Sequence, residues 1–484
     1  MKSHALIPTL LAFSFAGCAG DPDSPARRQQ LPPAPRTDAG LTDSGLSDAG
    51  AARPDPTLSV SCTHQRSDVY AARAEPFGSA QFGEIVACAT EGSISADQAR
   101  QRLAAVDASF AVDSGAWVYL IAYRTERTNG TPGIASARLF VPDSPRTGPR
   151  PIAVVAHGTA GLADRCAPST LPVAENTAEM ALPWVAAGLL TVMPDYAGLG
   201  TEGIQGYGNN SDTAHSVLDA ARAALRSVPE GSVDSSMILA GHSQGGGAVL
   251  ASQALARAYA PELPVRAAIS IAGGIVDGTL LQGARFPSLP IGGAGGAGRA
   301  ILSLSLYADA ANALGLEQGG LPFAPGIRAH VTSAIDNLCV FQLVTDLASP
   351  APDYSIPETL GDLMDPVFRE DVVRCVADST TCGVSGPYVA RQQSNRVSPD
   401  SSGGPVLMIS GHDDELQPPG QQACTIDVLS AAGVTPTTCL FPATDHSSIV
   451  AGGTPYLVSW ALAKTDGLTP PGCPSEEMYP ACRN

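Results

Sequence analysis

Gly241-His242-Ser243-Gln244-Gly245 constrains this chain more than any other stretch. An apolar run at 237–240 precedes it, and an Ala- and Leu-rich stretch with helical character, 246–259, follows it. A serine between two glycines at a strand-to-helix junction calls for a sharp turn. The glycines let neighbouring backbones pass where a side chain would clash. A serine hydroxyl is a poor nucleophile on its own. It reacts when it stands exposed, beside a base and beside donors for a developing oxyanion. The five-residue pattern alone is weak in a chain with 50 glycines, so its weight comes from its surroundings.

Those surroundings alternate. Apolar runs at 118–123 and 135–141 read as strands, and short continuous runs at 151–156, 189–193 and 265–272 read as buried parallel strands. Residues 211–228 carry Ala214, Val217, Leu218, Ala221, Ala224, Leu225 and Val228 on one helical face, with Ser211 or Asp212 as the cap. After Gly273 the pattern breaks over 274–403, which holds a Gly-rich stretch, apolar helical stretches and several prolines. It resumes with a strand at 405–410, a helix at 420–432, a strand at 438–441 and a helix at 456–463. The expected class is α/β: a mostly parallel central sheet flanked by helices, with an inserted, mainly helical cap. With a serine elbow at its centre, this resembles the α/β-hydrolase fold.

In that fold the triad runs Ser, acid, His along the chain. The acid belongs after a late strand, and His412-Asp413-Asp414-Glu415 follows the strand at 405–410. Asp414 is the expected acid and Asp413 the competing one. A metal-binding reading of residues 412–415 has nothing else in the sequence beside it. Of eight histidines only His446 lies beyond Asp414, between a strand and the last helix, where a loop can present an imidazole. His446 is the expected base for Ser243, with Asp414 holding its tautomer. The oxyanion donors are expected from the main-chain N–H of Gln244 and of Thr159, after His157-Gly158. His157 and His242 read as structural.

His157-Gly-Thr-Ala-Gly161, Asp164-Arg-Cys-Ala-Pro-Ser169, Asp195-Tyr-Ala-Gly-Leu-Gly200 and Gly241-His-Ser-Gln-Gly245 resemble the secretory lipases, in order, over about 110–464. The resemblance implies a carboxylester hydrolase, a lipase or an esterase, that needs no cofactor; the cysteines show no CxxC zinc pattern, and no metal site is expected. It maps the triad onto Ser243, Asp414 and His446. Residues 274–403 carry no motif of that family.

Lys2, an apolar run at 5–15 and Phe15-Ala16-Gly17-Cys18 read as an export signal ending in a lipidated Cys18. Residues 19–57, rich in Pro, Asp, Ala, Gly and Ser, read as a disordered tether. The hydrolase core is then expected over 58–273 and 404–484, with the cap at 274–403. Location follows as exported and lipid-anchored, in an outer membrane or at a cell surface. Ten cysteines remain after Cys18, an even number that suits disulfides outside the cell. The expected pairs are Cys62–Cys88, Cys166–Cys339, Cys375–Cys382, Cys424–Cys439 and Cys473–Cys482. The net charge of −18 argues against nucleic acid as a partner. Partners are an ester or lipid substrate and the membrane reached through Cys18; no obligate protein partner is evident. Three alternatives stay open: a serine peptidase or an acyltransferase on the same fold, and a non-catalytic surface binding protein.

Overall fold

Nine strands make one sheet in the order β1-β2-β3-β5-β4-β6-β7-β8-β9. They are β1 Ile85–Ile94, β2 Ala116–Glu126, β3 Pro132–Pro142, β4 Ile152–Ala156, β5 Thr191–Pro194, β6 Met237–His242, β7 Val265–Ile271, β8 Val406–Gly411 and β9 Thr437–Phe441. This is a computed structural model that describes residues 57–482 except 105, 108–109, 174–177, 276–286, 292–295, 297–299, 301–302, 304–321, 348 and 350–354. The export signal, Cys18 and all of the expected tether before Thr57 lie outside the described residues.

β1, β2 and β3 pair antiparallel, and β3 joins β5 antiparallel. From β5 through β4, β6, β7 and β8 to β9 every pair is parallel. β4, β5 and β8 are buried along their whole length, which is why they read as short apolar runs. Alternate residues serve alternate faces. Ile152, Val154 and Ala156 of β4 enter one core, while Ala153 and Val155 enter the other. Helices Asn210–Ser227 and Gln244–Tyr259 cover the first face, and Ser448–Thr465 covers the second.

Three local expectations change. Strand β1 was not anticipated, because Glu91, Gly92 and Ser93 interrupt its apolar pattern and its register with β2 shifts between Thr90 and Gly92. Glu91 belongs there because it faces Arg138 of β3 at 2.7 Å, an ion pair buried on both sides. The helix over 210–227 is capped by Asn209, not by Ser211 or Asp212; the Asn209 side chain accepts the Asp212 N–H at 3.2 Å. The last helix begins at Ser448 rather than 456, and it tolerates Pro455 within its length.

Between β7 and β8 the described insertion is helical: Arg328–Asn337, Val340–Leu347, Pro366–Ala377 and Gly386–Ser394. Phe323, Val331, Leu343, Leu360, Phe368 and Val372 give it a core of its own. It is stitched to the β4 end of the sheet. Cys339 bonds Cys166, and the Val340 N–H donates to the Ala160 carbonyl at 2.9 Å.

Three disulfides match the expected pairs: Cys62–Cys88, Cys166–Cys339 and Cys375–Cys382. The other two are Cys424–Cys482 and Cys439–Cys473, correcting Cys424–Cys439 and Cys473–Cys482. The reason is the pleat of the sheet. Cys439 of β9 points into the second core, while helix Pro419–Ala431, which carries Cys424, packs its Leu429 into the first. The sheet separates them, and the C-terminal segment supplies a partner to each.

Candidate active site

The turn at Ser243 is as tight as the sequence requires. Ser243 sits between the end of β6 and helix Gln244–Tyr259, with φ 56° and ψ −115°. That left-handed conformation is costly for a residue with a Cβ. Two main-chain bonds hold it: the Ser243 N–H donates to the Ile271 carbonyl at 2.8 Å, and the Gly247 N–H donates to the Ser243 carbonyl at 3.1 Å. A Cβ on Gly241 would strike the Gly245 carbonyl, and one on Gly245 would strike the Ala156 carbonyl. Both elbow glycines are therefore steric necessities.

Asp414 and His446 meet. His446 Nδ1 lies 2.8 Å from Asp414 Oδ2. The second oxygen, Oδ1, accepts the N–H groups of Leu416 at 2.9 Å and Gln417 at 2.7 Å, so the carboxylate is fixed at both ends. Asp414 is 3 % exposed. Its neighbour Asp413 is exposed and bonds His412 Nδ1 at 2.7 Å, which raises the His412 pKa. Asp414 is thus the carboxylate in contact with the histidine. Among the described residues no three of His, Cys, Asp and Glu come together as metal ligands.

The loop carrying His446 is shaped by Asp445. Its carboxylate accepts the N–H of Ser447 at 3.0 Å and both the N–H and the hydroxyl of Ser448 at 2.8 Å. Those bonds, that from the Ser448 N–H foremost, hold the Asp445 pKa down.

His242 takes part in a way its sequence position did not announce. Its Nε2 lies 2.7 Å from the His446 carbonyl, and the two rings are 4.7 Å apart. A carbonyl only accepts, so Nε2 carries a proton. Burial first, and then the nearby His446, push the His242 pKa down to about 3, so the ring stays neutral. His242 therefore fastens the main chain of His446 to the elbow. Two histidines 204 residues apart give no local pattern that would reveal this.

On the other side of the elbow lies the loop after β4. A Cβ on Gly158 would stand 3.6 Å from the Ser243 Cβ, so this loop runs directly against the serine. Two tyrosines of the segment after β5 pin it. Tyr196, itself at φ 70°, donates its hydroxyl to the His157 carbonyl at 2.8 Å. The Tyr207 hydroxyl lies 2.6 Å from Thr159 Oγ1. His157 is buried, with its ring nitrogens on the Gly158 carbonyl at 2.5 Å and the Asp195 carbonyl at 3.3 Å. Burial lowers its pKa. Gln244, the other expected oxyanion residue, opens the elbow helix.

A serine turn between a central strand of a mostly parallel sheet and a helix, with His446 and Asp414 in contact on loops after later strands, decides the fold. The chain has the α/β-hydrolase fold. Residues 168–282 match the model of the secretory lipase family, a span that includes the Ser243 elbow but neither Asp414 nor His446. Among solved structures, the chain is similar to the rice cell wall degrading esterase LipA from Xanthomonas oryzae. That match has 19 % identity and a TM-score of 0.58, and covers 80 % of this chain and 97 % of that one. It is also similar to Candida antarctica lipase A, with 16 % identity, a TM-score of 0.58 and coverage of 82 % and 86 %. No curated protein sequence matches it.

Proposed function

We propose that this α/β-hydrolase is a serine carboxylester hydrolase, a lipase or esterase. The observation that carries the reading is the His446–Asp414 contact at 2.8 Å, set beside a serine held in a strained turn. Ser243 Oγ attacks the ester carbonyl and gives its proton to His446 Nε2. Asp414 keeps the other ring nitrogen protonated and stabilises the imidazolium. The main-chain N–H groups of Gln244 and Thr159 take the negative charge on the carbonyl oxygen. His446 returns the proton to the departing alcohol, leaving an acyl group on Ser243. Water, deprotonated by His446, then releases the acid.

The secretory lipase match and the lipase and esterase neighbours support this chemistry. The described helices between β7 and β8 are read as part of a cap whose shape selects the acyl chain. Five disulfides suit an exported protein. A lipid on Cys18 would then hold the enzyme at an outer membrane or a cell surface through residues 19–57.

The test is hydrolysis of p-nitrophenyl esters from acetate to palmitate, with wild type beside Ser243→Ala. Turnover that vanishes in the variant, at an unchanged melting temperature, supports the reading. Turnover that survives in Ser243→Ala removes the serine assignment. No turnover on any ester would redirect the work to amides and to acyl transfer.

A further inference from the structure

The contact between Thr159 and Tyr207 has an uneven proton count. Two hydroxyls 2.6 Å apart share one hydrogen bond, which uses one of their two protons. Among the described residues neither hydroxyl has a second hydrogen-bond partner. One O–H is left over. Tyr207 is buried, and burial pushes its pKa up to about 12, so the phenol keeps its proton at any working pH. A phenol is a better donor than an aliphatic alcohol, so the favoured arrangement has Tyr207 donating to Thr159 Oγ1. The proton left over is then that of Thr159. Accepting from the phenol also polarises the Thr159 hydroxyl and strengthens it as a donor.

Thr159 follows Gly158, and Gly158 lies against Ser243. From this placement, and resting on the reading of the site as a serine ester hydrolase, we infer that the Thr159 hydroxyl donates a side-chain hydrogen bond to the oxyanion, with Tyr207 as its positioning residue. The site then has three donors rather than two. The hydroxyl is oriented before substrate arrives, because Tyr207 fixes the Thr159 side chain. A preset donor acts on the transition state at little reorganisation cost.

The experiment compares Thr159→Val, Thr159→Ser, Tyr207→Phe and the Thr159→Val/Tyr207→Phe double variant on one p-nitrophenyl ester, with kcat and KM measured separately. Thr159→Val keeps the shape and removes the hydroxyl. It is expected to lower kcat by about 100-fold, the scale for one lost oxyanion donor, with KM within about twofold. Thr159→Ser restores the hydroxyl and should recover most of kcat. Tyr207→Phe should lower kcat by about tenfold alone and add almost nothing on top of Thr159→Val, since its effect passes through that hydroxyl. Three results overturn the inference: kcat near wild type in Thr159→Val, kcat equally low in Thr159→Ser, or a Tyr207→Phe effect of equal size in both backgrounds. The wider reading is judged separately. If wild type cleaves the ester and Ser243→Ala does not, a fully active Thr159→Val sinks this inference alone.

Discussion

Cys166 and Cys339, 173 residues apart in sequence, are bonded to each other at the point where the insertion touches the loop beside Ser243. Gly161 pairs with Cys339, and Val340 donates to Ala160. One end of the insertion is thus stapled to the segment that carries Thr159. Replacing both cysteines with serine should lower thermal stability, since a lost native disulfide costs about 2–5 kcal/mol. It should also lower kcat well below the melting range, because the loop against the serine loses its anchor. Melting curves alongside kcat measured far below the melting transition separate the two effects. An unchanged kcat would make the staple a matter of stability alone.

Asp414→Asn should reduce kcat by about 10⁴-fold, the scale for an acid that sets the histidine tautomer. Asp413→Asn, on an exposed carboxylate bonded to its neighbour His412, should change kcat by less than about twofold. Steady-state kinetics of the pair decide it, and the reverse order would move the acid by one residue.

Ser243 bears the strain of its own turn. Ser243→Gly should abolish hydrolysis and raise stability by about 1 kcal/mol, because glycine adopts φ 56° without a Cβ penalty. Denaturant unfolding of wild type against the variant measures the difference. A less stable variant would mean that the hydroxyl itself supports the fold.

His242 predicts an acid sensitivity. Its pKa falls from 6.5 to about 3 on folding. Between those values the unfolded chain binds the proton and the folded chain does not, so stability rises with pH across that window and is lost as pH falls through it. His242→Gln, which does not titrate, should show a shallower fall in melting temperature between pH 6.5 and pH 4. Parallel slopes would assign the loss to other groups.

How far the sequence carries depends on the range over which each signal acts. The elbow is local: two glycines and a serine within five residues, each demanded by backbone crossing, so it is legible at once. The central parallel strands are legible because burial on both faces leaves them mostly apolar. β1 is not, since Glu91 at its centre makes sense only once Arg138 stands opposite. The pairing of Asp414 with His446 follows from chain order. The His242 bond to the His446 main chain and the Tyr207–Thr159 contact depend on loops folding back from distant strands, and no spacing encodes them. The disulfides divide along the same line. Cys375–Cys382 is a seven-residue separation and can be guessed, whereas Cys439 finds Cys473 because of the side of the sheet it faces.

The bonds Cys424–Cys482 and Cys439–Cys473 form two rings, one inside the other, and His446 lies within both. A nascent chain that has reached Ser243 already holds the whole nucleophile elbow. The two rings around His446 close only once Cys473 and Cys482 have emerged and been oxidised. Closing both rings therefore requires oxidation, and a chain kept reduced would carry the Ser243 elbow without the ringed segment that holds His446.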